Sequence, residues 1–202
     1  MSSNSVIEDK IDPRIKRTRM FLEEAFSELL HEKDFQSISV QDITERAGIN
    51  RATFYAHFSD KYALFEFKIR QEFRAEIEKR TLNACHYSED NLRALIQVVC
   101  EFIREASGQC KSPRGQFEPL MEAQVKEQIK DLFMAWLNQT ESNIPAEIAA
   151  TAASWSIYGL AQYWNHAKER MPLSTFMELI LPLVNANLLQ NEEELKSHQG
   201  KA

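Results

Sequence analysis

Apolar residues recur at intervals of three and four along almost the whole chain, and nowhere do they alternate. Leu22, Ala25, Phe26, Leu29 and Leu30 form one such stripe, and Leu64, Phe65, Ile69, Phe73 and Ile77 another. Leu92, Leu95, Ile96, Val99, Phe102 and Ile103 form a third, and this is the spacing of one face of an α-helix. Turn formers are scarce: 202 residues hold only 5 Gly and 6 Pro. That is too few for the many turns of an all-β fold or for a glycine-rich phosphate cradle. A hydrophobic fraction of 44% beside 27% charged residues excludes wholesale disorder. The expected fold is therefore all-α, with about nine helices.

Residues 1–11 are polar and read as a disordered arm. Asp12 followed by Pro13 reads as a helix start, with Asp as N-cap and Pro where a missing N–H costs nothing; the helix should run to about residue 33. Ser39 precedes Val40, Ile43 and Ala47, and Asp42 three residues on completes a capping box with Asp in place of Glu. Gly48 ends this short helix, Asn50 can cap another over 51–58, and a long helix should run from Lys61 to about residue 82. Further helices are expected over 91–106, 120–139, 145–168 and 173–190, the last kinked at Pro182. The loop 107–115 and a polar tail, 191–202, complete the chain. Four regions result: the arm, a domain over 12–67, a second over 68–190, and the tail.

Residues 39–58 carry the most information. A two-turn helix, a three-residue turn containing Gly48 and a second short helix make the helix-turn-helix arrangement, whose second helix enters the DNA major groove while the first braces it. Gly48 supplies the conformation such a turn needs, and Ile43, Ala47, Ile49 and Phe54 would pack the two helices together. The spacing alone also describes an αα-corner with no DNA role.

The stretch TRMFLEEAFSELLHEKDF, continued by ISVQDITERAGINRATFYAHFSDKYALF, resembles the N-terminal domain of the tetracycline-repressor (TetR/AcrR) family of bacterial transcription regulators over residues 13–67. Beyond residue 67 only the architecture is similar. Two departures are Asp34, where the family usually has Gly, and Thr44, where Ala is commoner. Asp tolerates left-handed backbone better than most residues. The resemblance implies a dimeric regulator of transcription with an N-terminal three-helix DNA-binding domain and a C-terminal sensor. It places Asn50, Arg51, Ala52 and Thr53 against base edges and nearby phosphates, with Arg51 suited to guanine O6 and N7. Tyr55, His57 and Lys61 match phosphate-gripping positions, and Ser39 and Gln41 add a hydroxyl, an amide and exposed N–H groups.

Charge supports this in part. The net charge is −6, and residues 1–67 hold nine Lys and Arg against twelve Asp and Glu, so neither the chain nor the domain is basic. Arg14, Lys16, Arg17 and Arg19 nevertheless cluster at the entry to the first helix; they read as phosphate contacts beside the motif, or as an ordinary solvated face. Salt should weaken DNA binding by roughly one log–log slope unit per neutralised phosphate.

In the second half, the family dimerises through its last two helices, which implies a four-helix bundle across a two-fold axis. Gly159, Tyr163, Trp164, Phe176, Ile180, Leu183, Val184 and Leu188 are the candidate interface, an internal core being the alternative. The helices before them usually enclose an inducer. Phe102, Phe133, Met134, Trp136, Trp155 and Tyr158, with Gln97, Cys100, Gln124 and Gln128 for polarity, suit a small apolar or aromatic molecule. Ordinary core is the competing reading of each. Ligand would release a palindromic operator by favouring a dimer with the wrong reader spacing.

Other functions find less support. No HExxH, GxSxG or Walker sequence is present and the five His lack metal spacing, so neither an enzyme nor a metal or cofactor is implied. Cys85, Cys100 and Cys110 form no CxxC and read as buried thiols, with a redox sensor as alternative. A ligand-independent architectural DNA binder of the same fold is another, and activation in place of repression is open. The start lacks the basic and apolar character of a signal peptide and no apolar run approaches ~18 residues, so a cytoplasmic protein is expected.

Overall fold

A computed structural model describes residues 12–80, 86–109, 118–137 and 144–188. Within them the fold is all-helical. The order is α1 (Pro13–Glu32), a 3-10 turn (Phe35–Ser37), α2 (Val40–Ala47), α3 (Arg51–His57), α4 (Lys61–Arg80), α5 (Glu89–Gln109), α6 (Glu118–Leu137), α7 (Ala146–His166) and α8 (Leu173–Leu188). Two units divide the chain: residues 1–68 with 108–119, and residues 69–107 with 120–202. Helix α4 begins in the first and ends in the second. The proposed arm, the tail, Cys85 and Cys110 lie outside the described residues.

The helix starts are those the sequence dictates. Asp12 Oδ1 accepts from the Arg14 N–H at 2.8 Å with Pro13 at the first helical position. Ser39 and Asp42 form the reciprocal capping box of α2, Asn50 Oδ1 accepts from the Ala52 N–H at 2.8 Å, and Asp60 Oδ1 accepts from the Ala63 N–H at 2.8 Å. Gly48 ends α2 at φ 66°, ψ 31°. It alone has positive φ among the described residues. Asp34 sits at φ −62°, ψ 141°, so the residue after α1 needs no left-handed backbone: Lys33, extended, already stops the helix, and the 3-10 turn that the periodicity had not indicated carries the chain on. Helix α8 continues through Pro182.

Burial in the first unit centres on rings. Phe35 of the 3-10 turn lies 6.1 Å from Phe26, 5.3 Å from Phe65 and 5.2 Å from Tyr62, measured between centroids. Leu22, Phe26, Ile43, Phe54 and Leu64 are fully buried. Thr44, the departure from Ala, is buried too, and its hydroxyl donates back to Val40 O and Gln41 O, both at 3.0 Å; a Thr is tolerated because its polar atom is satisfied within its own helix.

In the second unit α7 and α8 pack against each other, joined by Trp164 stacked on Phe176 at 6.0 Å and by the Trp164 indole N–H donating to Met171 O at 2.9 Å. Phe73 of α4 meets Phe102 of α5 at 5.0 Å, and Arg70 of α4 donates to Gln124 Oε1 of α6 at 2.8 and 3.1 Å. No helix among the described residues is long and apolar enough to cross a membrane.

The turn at Gly48 yields a test. An added Cβ would meet nothing within 4 Å, so Gly48→Ala is resisted by the left-handed backbone alone. Its expected cost is about 1–2 kcal/mol of unfolding free energy, read by urea denaturation.

Candidate nucleic-acid interface

Helix α2 is fastened to α1 by three ionic contacts. Lys33 donates to Asp42 Oδ1 at 2.7 Å. Arg46 spans both oxygens of Glu32, at 2.8 and 2.7 Å, and reaches Glu28 at 3.0 Å. Asp42 serves two partners at once, since its other oxygen accepts from the Ser39 N–H at 2.7 Å and from the Ser39 hydroxyl at 2.6 Å. The Lys33 ammonium and the Ser39 donors hold its carboxyl well below the usual carboxylate range.

Helix α3 is short and two-faced. Phe54 is fully buried and Phe58, just past its end, nearly so; their rings lie 6.0 Å apart. The other side is open: Asn50, Arg51, Ala52, Thr53 and Tyr55 are exposed. Arg51 and Tyr55 lie one turn apart, Nη2 to the hydroxyl at 3.4 Å. His57 is partly buried, and burial first, then the Arg19 charge, pushes its pKa down. Both causes favour the uncharged ring.

The basic run at the entry to α1 divides. Arg14, Lys16 and Arg17 are exposed. Arg19 instead lays its guanidinium over the rings of Phe58 and Phe67, 5.9 and 5.0 Å from their centroids, a cation–π contact. Ser39 is occupied by the capping box, and the exposed Gln41 donates to Glu45 at 2.8 Å. Lys61 turns inward: its Nζ donates to the carbonyls of Phe35, Gln36 and Ile38.

The candidate sensor residues lie in the second unit. Cys100, Phe102, Gln124, Phe133, Trp136 and Tyr158 are buried, and Gln97, Gln128 and Met134 half-buried. Phe133 and Trp136 meet edge to face at 5.4 Å, and Gln97 donates to Glu101 at 3.0 Å. Burial pushes the Cys100 thiol up to about 12, so little thiolate forms for an oxidant to attack. Trp155 belongs elsewhere: it is 63% exposed.

Among the candidate dimer residues, Trp164, Phe176, Ile180, Val184 and Leu188 are buried within the one chain. Gly159, Tyr163 and Leu183 face outward, the latter two at 68% and 59% exposure. Ile148, Trp155, Gly159 and Tyr163 mark one outer stripe of α7, and Leu179 and Leu183 one of α8. Ile148 and Leu179 were absent from the sequence-derived set; their i, i+7 and i, i+4 relation to Trp155 and Leu183 was the available signal.

Comparison with known proteins places this geometry. Residues 23–66 match the model of the family described as bacterial regulatory proteins, tetR family. A 76-residue segment is 40% identical to the uncharacterized HTH-type transcriptional regulator YxbF of Bacillus subtilis (strain 168), over 37% of this chain and 20% of that protein. The match thus spans about one fifth of that curated relative's length. A TetR-family regulator of Streptomyces coelicolor A3 has the same fold at a TM-score of 0.60 and 19% identity, over 88% of this chain and 97% of that one. FadR of Bacillus subtilis, in complex with stearoyl-CoA, gives 0.52 and 12%, over 84% and 99%. Over residues 23–66 the chain is therefore similar to the tetR family, and the matched relative is itself described as a transcriptional regulator.

Asp42 makes stability pH-dependent with a definite sign. A carboxyl held low in the folded chain contributes fully above its ordinary value of 3.8, and the contribution is lost as pH falls from there toward the folded value. Asp42→Ala should therefore lose about 1 kcal/mol at pH 7. Its difference from the wild-type chain should shrink as pH drops below about 4, measured by urea denaturation across pH.

Proposed function

We propose that the chain is a DNA-binding transcriptional regulator, a repressor that reads a palindromic operator as a homodimer and releases it when a small apolar or aromatic molecule binds the C-terminal unit. The observation that carries this reading is the open face of α3, where Arg51, Ala52, Thr53 and Tyr55 stand exposed on a helix whose opposite side is pinned by Phe54. In a major groove the Arg51 fork can bond guanine O6 and N7 together, while the methyl groups of Ala52 and Thr53 suit thymine. Arg14, Lys16 and Arg17, with Tyr55, His57 and Gln41, supply phosphate contacts that fix register without reading sequence.

Two copies are needed to meet successive grooves about 34–36 Å apart. The outer stripes of α7 and α8 support a seam between copies, since Trp155, Tyr163, Leu179 and Leu183 each stand more than half exposed there. The aromatic interior of the second unit, with Phe102, Phe133, Trp136 and Tyr158, favours an apolar ligand; a neighbour of this fold holds stearoyl-CoA. Ligand acts through its difference in affinity between two dimer states, and α4, continuous from the first unit into the second, is the element able to carry the shift. The ligand-independent reading is favoured by the close ring packing of Phe133, Trp136 and Tyr87.

Selection of duplexes from a random pool by the full chain, repeated with candidate apolar ligands, tests the reading. An inverted repeat with half-sites about 10 bp apart is expected, and Arg51→Ala should relax one base pair per half-site by about 1–3 kcal/mol. A pool that stays unenriched overturns it. The seam is tested by Leu183→Glu, expected to sediment as a monomer at micromolar concentration with unchanged helicity; a dimer that persists places the seam elsewhere.

A further inference from the structure

Lys61 is half-buried, and its ammonium is held by backbone carbonyls. Its Nζ donates to Phe35 O at 2.9 Å, Gln36 O at 2.9 Å and Ile38 O at 2.8 Å. An ammonium has three N–H groups and no more, so every donor is taken. The rings of Phe35 and Tyr62 lie 4.8 and 5.6 Å from Nζ, and burial, outweighing the Asp42 carboxylate, pulls its pKa down. The three carbonyls belong to the stretch that leads from α1 to Ser39, which holds the buried Phe35 and Ile38. Without the ammonium, Gln36 O and Ile38 O lose this donor, while Phe35 O keeps the Ile38 N–H at 3.2 Å.

We infer that Lys61 grips no phosphate and is a positioning residue: its carbonyl cage fixes the path into Ser39, and with it the start of α2 and, through the Gly48 turn, the placement of α3. This rests on the DNA-binding reading above. Arginine is no substitute, because a planar fork cannot converge three N–H groups on oxygens arranged round one nitrogen. A phosphate contact, by contrast, would accept Arg readily.

Two measurements on the full chain test it. In a nitrogen–proton spectrum of the lysine ammonium groups, the wild-type chain should show one slowly exchanging signal that vanishes in Lys61→Arg and does not move when DNA is added. A Lys61 ammonium that exchanges as fast as exposed lysines, or becomes protected only on DNA, overturns the cage. For the second, the probe is the duplex enriched from the random pool. Lys61→Arg keeps the charge yet should bind about tenfold or more weakly, with the log–log salt slope of the wild-type chain, whereas Lys16→Ala should flatten that slope by roughly one unit. Undiminished affinity in Lys61→Arg overturns the positioning role. If no duplex is enriched, the DNA-binding reading fails, and the spectrum still decides the cage.

Discussion

Helix α3 has seven residues, well below the roughly 12–15 at which a helix persists alone in water. Its open face therefore exists only because its closed face is held. Phe54 supplies most of that hold; a buried Phe is worth about 3–5 kcal/mol against Ala, more than Asn50 can contribute as an N-cap. Everything else in the first unit serves to present a surface for Phe54 and Phe58. The Gly48 turn sets the angle, the Arg46 and Lys33 ion pairs seat α2 on α1, and the Phe26, Phe35, Phe65 cluster keeps α1 and α4 in place. The candidate reading surface is thus an outcome of core packing, with little intrinsic stability of its own.

The same dependence explains how an acidic domain can offer a basic face. Half of the Lys and Arg over residues 12–67 are engaged within the fold. Lys33 and Arg46 are spent on carboxylates, Arg19 on two rings and Lys61 on three carbonyls. Arg14, Lys16, Arg17 and Arg51 remain exposed. Net charge is a poor guide here, because what a phosphate meets is the set of outward-facing cations. The pairing also offsets carboxylates locally: Lys33 is matched to Asp42, and Arg46 is shared between Glu28 and Glu32.

Much of this was legible in the sequence, for local reasons. Asp12-Pro13, Ser39 with Asp42, Gly48 and Asn50 act through backbone atoms two or three residues away, so their roles can be read without knowing the fold. The 3-10 turn at Phe35 and the Lys61 cage could not be read. The cage depends on residues 23 to 26 positions apart meeting in space, and the turn packs Phe35 against Phe65 of α4; periodicity carries no such information. Sequence likewise assigned Trp155 to an interior and Trp164 to a seam, the reverse of their exposures. Both are aromatics on α7, and only the direction from which α8 approaches decides which one is covered.

That direction also bears on Gly159. Glycine within a helix costs roughly 1 kcal/mol relative to Ala, and here it sits in the middle of α7 with space for a Cβ, nothing lying within 4 Å. No contact among the described residues requires it. It stands on the outer stripe between Trp155 and Tyr163, where two large rings leave a low point that a ridge of another helix can enter. A second copy laid against this stripe would give the glycine a purpose and would cover Leu179 and Leu183 in the same step. A solvated face would give it neither, and there the cost of a flexible backbone beside four exposed apolar side chains would go uncompensated.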